Sequence, residues 1–241
     1  MSNNKIKFYQ VEAHPKRLSF SPFVIATELF LKHKNLDWDA KLLKYSEVKS
    51  TVGSVTNGKW GYVPTLKFPN GDVAFDSLKI AEYLDEKYPS NPLIYKSEEL
   101  DKLTEHYDQT CNWNACKMNV KEFLSYMDDK SRKYFMETRV PMLQSNPDGF
   151  KFNQEENIAE YFENLKPVIQ RLEKTKFIDG DKPLIHDYLI ISRIQMVKTT
   201  SPEAYHELVE NNPSEIFKKW VERMDGLFDD FLKNRKTILT N

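Results

Sequence analysis

Three short stretches carry residues whose types and spacing suit chemistry on a small anionic peptide. The first is Ser21-Pro22-Phe23, a hydroxyl at a helix start with proline at the first helical position. The second is Tyr62-Val63-Pro64-Thr65-Leu66, and the third is Asp76-Ser77 ahead of Leu78-Lys79-Ile80-Ala81-Glu82-Tyr83-Leu84. A residue before proline is driven to extended geometry and proline donates nothing to a ladder, so Pro64 should open a strand. Val63, just ahead of it, would then offer its main chain to a peptide-like ligand. Asp76 or Ser77 as N-cap would turn the first helical N–H groups and the positive end of the dipole towards the same space. The combination is a socket for a small peptide that carries a carboxylate.

The elements that must hold these residues follow from pattern and punctuation. Lys5 to Val11 reads as a strand, Glu12 to Leu18 as a polar loop, and a helix should run from Pro22 to about Lys34, ended by Asn35. Trp38 to Tyr45 reads as a second strand, and Ser46 to Trp60 as a short helix and loop. Val63 to Phe68 and Val73 to Phe75 flank Pro69-Asn70-Gly71-Asp72, a hairpin signal, and a helix from Leu78 to Tyr88 stops at Pro89. The order is β-α-β-(α)-β-β-α. After a linker at 89–96 the character changes. Glu98 to about Tyr126 reads as one long helix, Lys130 to Leu143 as another ended by Asn146-Pro147-Asp148-Gly149, and Gln154 to Lys174 as a third interrupted near Pro167. Asp187 to Lys198 is short and apolar, suited to burial, and Glu215 to Asn234 is a final amphipathic helix. The chain therefore divides into a small α/β unit, 1–88, and an all-helical unit, 97–241.

Composition narrows the class of function. The 241 residues are 40% hydrophobic and 29% charged, with net charge −1, which provides no field for nucleic acid or an acidic membrane surface. No apolar run approaches the roughly 20 residues of a membrane span, and the N-terminus lacks a signal-peptide core. Cys111 and Cys116 stand five apart, a spacing that on a helix does not meet disulfide geometry, so free thiols in a reducing cytoplasm are expected. His33, His106, His186 and His206 show no metal-ligand spacing, and no metal is expected.

With both halves in view, the chain resembles the cytosolic glutathione transferase family over nearly its whole length. The resemblance rests on Ser21-Pro22-Phe23, on Val63-Pro64-Thr65-Leu66, and on Asp76-Ser77, which lie 13 and 14 residues after Val63. The C-terminal half, with Gly180-Asp181-Lys182-Pro183 and Asp187-Tyr188, looks most like fungal transferases related to bacterial lignin β-etherases. The resemblance implies an α+β/α fold: a thioredoxin-like N-terminal domain and an all-helical glutathione-transferase C-terminal domain. It implies that glutathione is the co-substrate and that Ser21, with Ser19 as the rival hydroxyl, contacts its sulfur. Val63 and Pro64 would meet the cysteinyl part, Asp76 the γ-glutamyl ammonium and Ser77 its carboxylate, while Lys49 or Lys59 meets the glycyl carboxylate. Phe23, Tyr107, Cys111 and Trp113, with Met118, would line the electrophile site. A cytoplasmic homodimer acting in detoxification, on an aromatic electrophile or by aryl-ether cleavage, completes the picture.

Departures from the family shape the expectations. Serine stands before Pro22 where omega and glutaredoxin-like relatives have cysteine, which disfavours mixed-disulfide chemistry. Ala26 and Thr27-Glu28 occupy positions where several members carry arginine. Leu184 replaces a capping Ser or Thr three residues before Asp187, so Asp187 or Pro183 is expected to carry the helix start. The rival reading is a non-catalytic protein that binds glutathione or its conjugates. A third, an interaction module like the transferase-like domain of elongation-factor subunits, fits less well, because those come fused to further domains.

Overall fold

The computed structural model describes residues 5–13, 17–139 and 152–239; His14, Pro15 and the 146–149 stop signal fall outside them. The central strand β1 (Ile6–Ala13) pairs in parallel with β3 (Trp38–Lys44) and antiparallel with β4 (Thr65–Lys67). The two-residue strand β2 (Leu18–Ser19) pairs with the end of β1, and β5 (Val73–Phe75) closes the hairpin on β4. Flanked on both edges, β1 loses its alternation and buries Gln10 to Ala13 without a break. The strand thus outlasts the polar loop expected from Glu12.

Helix α1 (Pro22–His33) joins β1 to β3, α2 (Tyr45–Val55) follows β3, and α3 (Ser77–Lys87) follows β5. The stretch read as a short helix and loop after Tyr45 is thus mostly helix, three turns long. Residues Val24 to Leu31 of α1 are all buried, because α1 packs on α3 and also on a helix of the second half. Asn35, in left-handed conformation with φ 54°, ends the run that follows α1. The Val63-Pro64 peptide bond is cis.

The second half begins with α4 (Glu98–Gln109) and α5 (Cys111–Ser125), not the single helix expected there. Thr110 separates them with φ −120° and ψ −80°, its hydroxyl donating to the His106 carbonyl at 2.6 Å. Such back-bonding by a β-branched residue competes with the helix ladder and bends it. Then come α6 (Asp129–Thr138) and α7 (Gln154–Leu172). Pro167 lies inside α7 without interrupting it, a second correction: tertiary packing of Tyr161, Leu165, Val168 and Leu172 holds the helix through the missing bond. Helix α8 (Ile185–Thr200) is buried almost all round, with α1, α4 and α5 against it. After α9 (Pro202–Tyr205) and a π-helical turn (His206–Glu210), α10 (Glu215–Asp225) stops at Gly226. The final helix is therefore shorter than expected, because Phe228 and Asp229 take left-handed backbone angles.

The start of α8 is held in an unforeseen way. Neither Asp187 nor Pro183 caps it; the Asp179 carboxylate does, accepting from the amides of His186 at 2.9 Å and Asp187 at 3.2 Å. Asp187 works in the opposite direction, accepting from the amides of Ile178 and Asp179 and from Trp220 Nε1 at 2.7 Å. Two carboxylates exchange hydrogen bonds across the turn, so Leu184 need not cap. One hydrophobic core runs from Phe8 through Phe30 to Trp220, spanning both halves. A smaller cluster of Val11, Phe20, Val48, Val52, Phe123 and Met127 supports the site described next.

Candidate functional site

A cavity of about 1240 Å³ opens where the start of α1, the cis-proline loop and the start of α3 face α4, α5, α6 and α8. Ser21 occupies the N-cap of α1, 7% exposed; its carbonyl accepts from Ile25 and its hydroxyl makes no capping bond. That hydroxyl has no partner among the described residues and borders the cavity at the positive end of a 12-residue helix. Ser19 differs. Its hydroxyl is buried without a partner among the described residues and lies off the cavity wall. Its carbonyl accepts from Arg235 Nη2 at 2.8 Å, and Arg235 pairs with Glu28, which also takes a hydrogen bond from Gln10. The C-terminal segment thus pins the loop that presents Ser21. Glu28, the departure noted on α1, is the buried anchor of this brace.

Val63 and Pro64 line the cavity, and the main-chain N–H and C=O of Val63 engage no described group. Asp76 caps α3, its Oδ1 accepting from the amides of Leu78 at 3.0 Å and Lys79 at 3.3 Å, so Oδ2 is left uncommitted. Asp76 sits at φ 68°, a conformation an L-residue holds only when its surroundings demand it. Ser77 follows on the wall, 7% exposed. Lys49, on α2, reaches the cavity; a Cβ on Gly61 would stand 3.4 Å from its Cγ, so glycine there leaves it room. Lys59 is exposed and away from the cavity. Of Lys49 and Lys59, Lys49 borders the cavity and Lys59 does not.

The electrophile side requires a larger correction. Phe23 lines the cavity and is 46% exposed. Tyr107 and Cys111 are buried in the core against Tyr161, the two phenols 3.5 Å apart, and Trp113 and Met118 lie off the cavity wall. Tyr107 and Cys111 are apolar or polarisable side chains, and burial claims them for packing on Tyr161 of α7. The cavity instead receives the adjacent stripe: Asp101, Thr104, Asp108, Asn112, Cys116 and Asn119. The i, i+3, i+4 spacing of these small polar residues was the available signal. Also missed were Arg139, whose guanidinium stands 5.3 Å over the Tyr62 ring, and Arg193 on α8. Both are arginines whose place depends on distant elements.

Both signs of charge line the wall: Asp76, Glu82, Asp101 and Asp108 with Lys49, Lys96, Arg139 and Arg193. Burial pushes the thiols of Cys111 and Cys116 up to about 12, so neither is a resting thiolate. His186, also on the wall, is 2% exposed between Asp179 and Asp101, its ring nitrogens 2.5 and 3.0 Å from their oxygens. Burial opposes its charge, but the two carboxylates prevail and raise its pKa above the ordinary value. Among the described residues no group of His, Cys, Asp and Glu is arranged to hold a metal ion.

A thioredoxin-like sheet followed by a helical bundle is the fold this chain shares with solved glutathione transferases. Residues 20–87 match the family model of the glutathione S-transferase N-terminal domain. The curated Glutathione S-transferase-like protein ustS of Aspergillus flavus is 21% identical over 237 residues, covering 86% of each chain. Among solved structures, glutathione transferase GSTFuA3 of Phanerochaete chrysosporium superposes with TM-score 0.77 at 17% identity, covering 91% of this chain and 95% of its own. A glutathione S-transferase of Ceriporiopsis subvermispora, solved in complex with glutathione, gives TM-score 0.71 at 19% identity, covering 91% and 96%. Residues 20–87 thus carry a glutathione S-transferase N-terminal domain, and the chain as a whole is similar in sequence and fold to fungal glutathione transferases.

Proposed function

We propose that this protein binds glutathione in the cavity, holds its thiol as thiolate beside Ser21, and adds it to a hydrophobic electrophile carrying an aromatic group. The observation that carries this reading is the unpartnered Ser21 hydroxyl at the head of α1, facing the cavity opposite the free main chain of Val63. A thiol is nucleophilic only as its anion, and a hydroxyl donor at the positive end of a helix stabilises that anion. The charge layout suits a zwitterionic tripeptide: Asp76 takes the γ-glutamyl ammonium, Ser77 its carboxylate, and Lys49 the glycyl carboxylate. At about 1240 Å³ the cavity exceeds the 300–1,000 Å³ typical of one ligand, which leaves room for a second. Phe23, on the cavity wall two residues after Ser21, offers the electrophile an aromatic contact; aryl-ether cleavage would be the same attack with a phenoxide leaving. In this reading the glutathione site belongs to 1–88, joined by 89–96 to the helical 97–241 unit, and the enzyme works as a cytoplasmic homodimer.

The deciding experiment is thiolate absorbance of bound glutathione against pH, wild type beside Ser21→Ala. A thiol pKa clearly below the free value, restored towards it in the variant, is the expected result. Losing one hydrogen bond to a charged sulfur, about 1.5–3 kcal/mol, should slow conjugation roughly 10- to 100-fold while glutathione still binds. Binding without any shift would instead favour the non-catalytic glutathione-binding reading.

A further inference from the structure

The mechanism above uses the sulfur side of the cavity and leaves the charged pair on its far wall without a role. Arg193 is 4% exposed, yet it borders the cavity rather than the core. Its guanidinium is fixed with unusual completeness. Nε donates to Asp108 Oδ1 at 2.6 Å and Nη2 to Asp108 Oδ2 at 2.7 Å, a bidentate fork. Both hydrogens of Nη1 are taken, by the Leu189 carbonyl at 3.0 Å and the Ser192 hydroxyl at 3.2 Å. Arginine carries five N–H donors. One hydrogen on Nη2 is therefore left without a partner among the described residues. The flat face of the group stands 5.0 Å over the ring of Phe23, two residues beyond Ser21. Cys116, which feels the charges of both Asp108 and Arg193, marks the same stretch of wall.

We propose that Arg193 is the electrophile-activating residue of this site, and that its uncommitted Nη2–H receives the oxygen of an α,β-unsaturated carbonyl compound. The inference rests on the transferase reading and names its electrophile class. In the step, the thiolate sulfur bonds to the β-carbon, the C=C pair shifts to the carbonyl side, and the C=O π pair goes to oxygen. The resulting enolate oxygen accepts the hydrogen bond from Nη2, and water then returns a proton to the α-carbon. The thiol proton lost on activation and this proton balance, and no oxidant is involved. A donor already fixed where charge develops needs no reorganisation in the transition state, the arrangement that makes oxyanion stabilisation effective. Asp108 does not cancel the effect: it holds the fork in place and leaves one Nη2 hydrogen without a partner among the described residues. An alkyl halide gains nothing from this hydrogen, because its charge departs on the halide.

The test compares trans-4-phenyl-3-buten-2-one with benzyl bromide, and wild type with the paired variant Arg193→Met/Asp108→Leu, which removes both charges so that neither is left alone in the wall. On the order of 100-fold greater loss of kcat/KM for the enone than for the bromide is expected, with the bound-thiol pKa unmoved. Arg193→Lys, which keeps a cation but not the fork, should recover part of the enone rate. Equal loss for both electrophiles, or loss for neither, overturns the proposal and leaves a structural tie between α4 and α8. A second measurement needs no variant: the enone's ultraviolet band on binding to wild type, with S-methylglutathione filling the thiol site. A red shift from carbonyl polarisation supports the proposal, and an unshifted band overturns it. An unshifted glutathione thiol pKa in wild type is the separate failure of the transferase reading, and the band of the enone bound alone then still decides the role of Arg193.

Discussion

At the scale of single residues, hydrogen bonds have been reassigned among groups that sequence position alone would pair differently. Asp179 holds two amides at the head of α8 and the His186 ring, and its side chain has no exposure. Removing it as Asp179→Ala should strand a buried imidazole and two amides, costing about 3–5 kcal/mol. A urea denaturation midpoint would show this; a loss below about 1 kcal/mol would mean the turn reorganises at little expense. The two cysteines make a second residue-scale case. With their pKa values pushed up to about 12, roughly one thiol in 10⁴ is ionised at pH 8. Alkylation of the folded protein by iodoacetamide should therefore be far slower than that of free glutathione, and quick modification would contradict the raised thiol pKa values.

Among the elements, α1 and α8 are organised by what surrounds them more than by their own pattern. Both are buried on nearly every side, where an amphipathic surface helix would show a stripe. Helices α4 and α5 do show stripes, and the useful one is polar. Helix α7 carries Pro167 without a break, leaving the Glu163 carbonyl without its intrahelical donor. Interior proline costs up to about 3 kcal/mol against alanine. Pro167→Ala should accordingly raise stability by about 1–3 kcal/mol, read as a higher thermal midpoint, with glutathione binding unaltered. An unchanged midpoint would show that the helix has already relaxed around the ring.

Across the whole molecule, the two halves are joined by contacts that also enclose the cavity. Phe20 beside the Ser21 loop meets Phe123 of α5 with centroids 4.5 Å apart, and Tyr45 of α2 meets Phe135 of α6 at 5.5 Å. His186 links the α8 turn to Asp101 of α4. Its pKa is raised in the fold by the two carboxylates facing it, with Asp187 close behind Asp179. A raised histidine pKa means that its protonation stabilises the native state in full below the unfolded value near 6.5, and that this support fades as pH climbs through the folded pKa. The melting-temperature advantage of wild type over His186→Gln should thus be largest near pH 6 and shrink towards pH 9. An advantage that grew with pH would refute the charged state assigned to this histidine.

Much of the N-terminal half was legible from local signals. Ser21-Pro22 marks a helix start, Val63-Pro64 an extended entry to a strand, and Asn70-Gly71 a hairpin, because each fixes backbone geometry within a few residues. The cavity wall built by Ser21, Val63, Asp76 and Ser77 follows from those same residues. The electrophile side does not. Helical periodicity shows that α4 and α5 have two faces, but which face meets a cavity is decided by where α7 lies. The amide at Leu184 gives no sign that Asp179 will cap α8, and nothing near Arg193 shows that Asp108, 85 positions earlier, will hold its fork. The sequence by itself determined the elements of the N-terminal half and the residues of the candidate socket, since both depend on short-range sterics and capping. Tertiary structure alone decided which hydroxyl, which lysine and which helix face reach the cavity, because those choices depend on burial among groups distant in the chain.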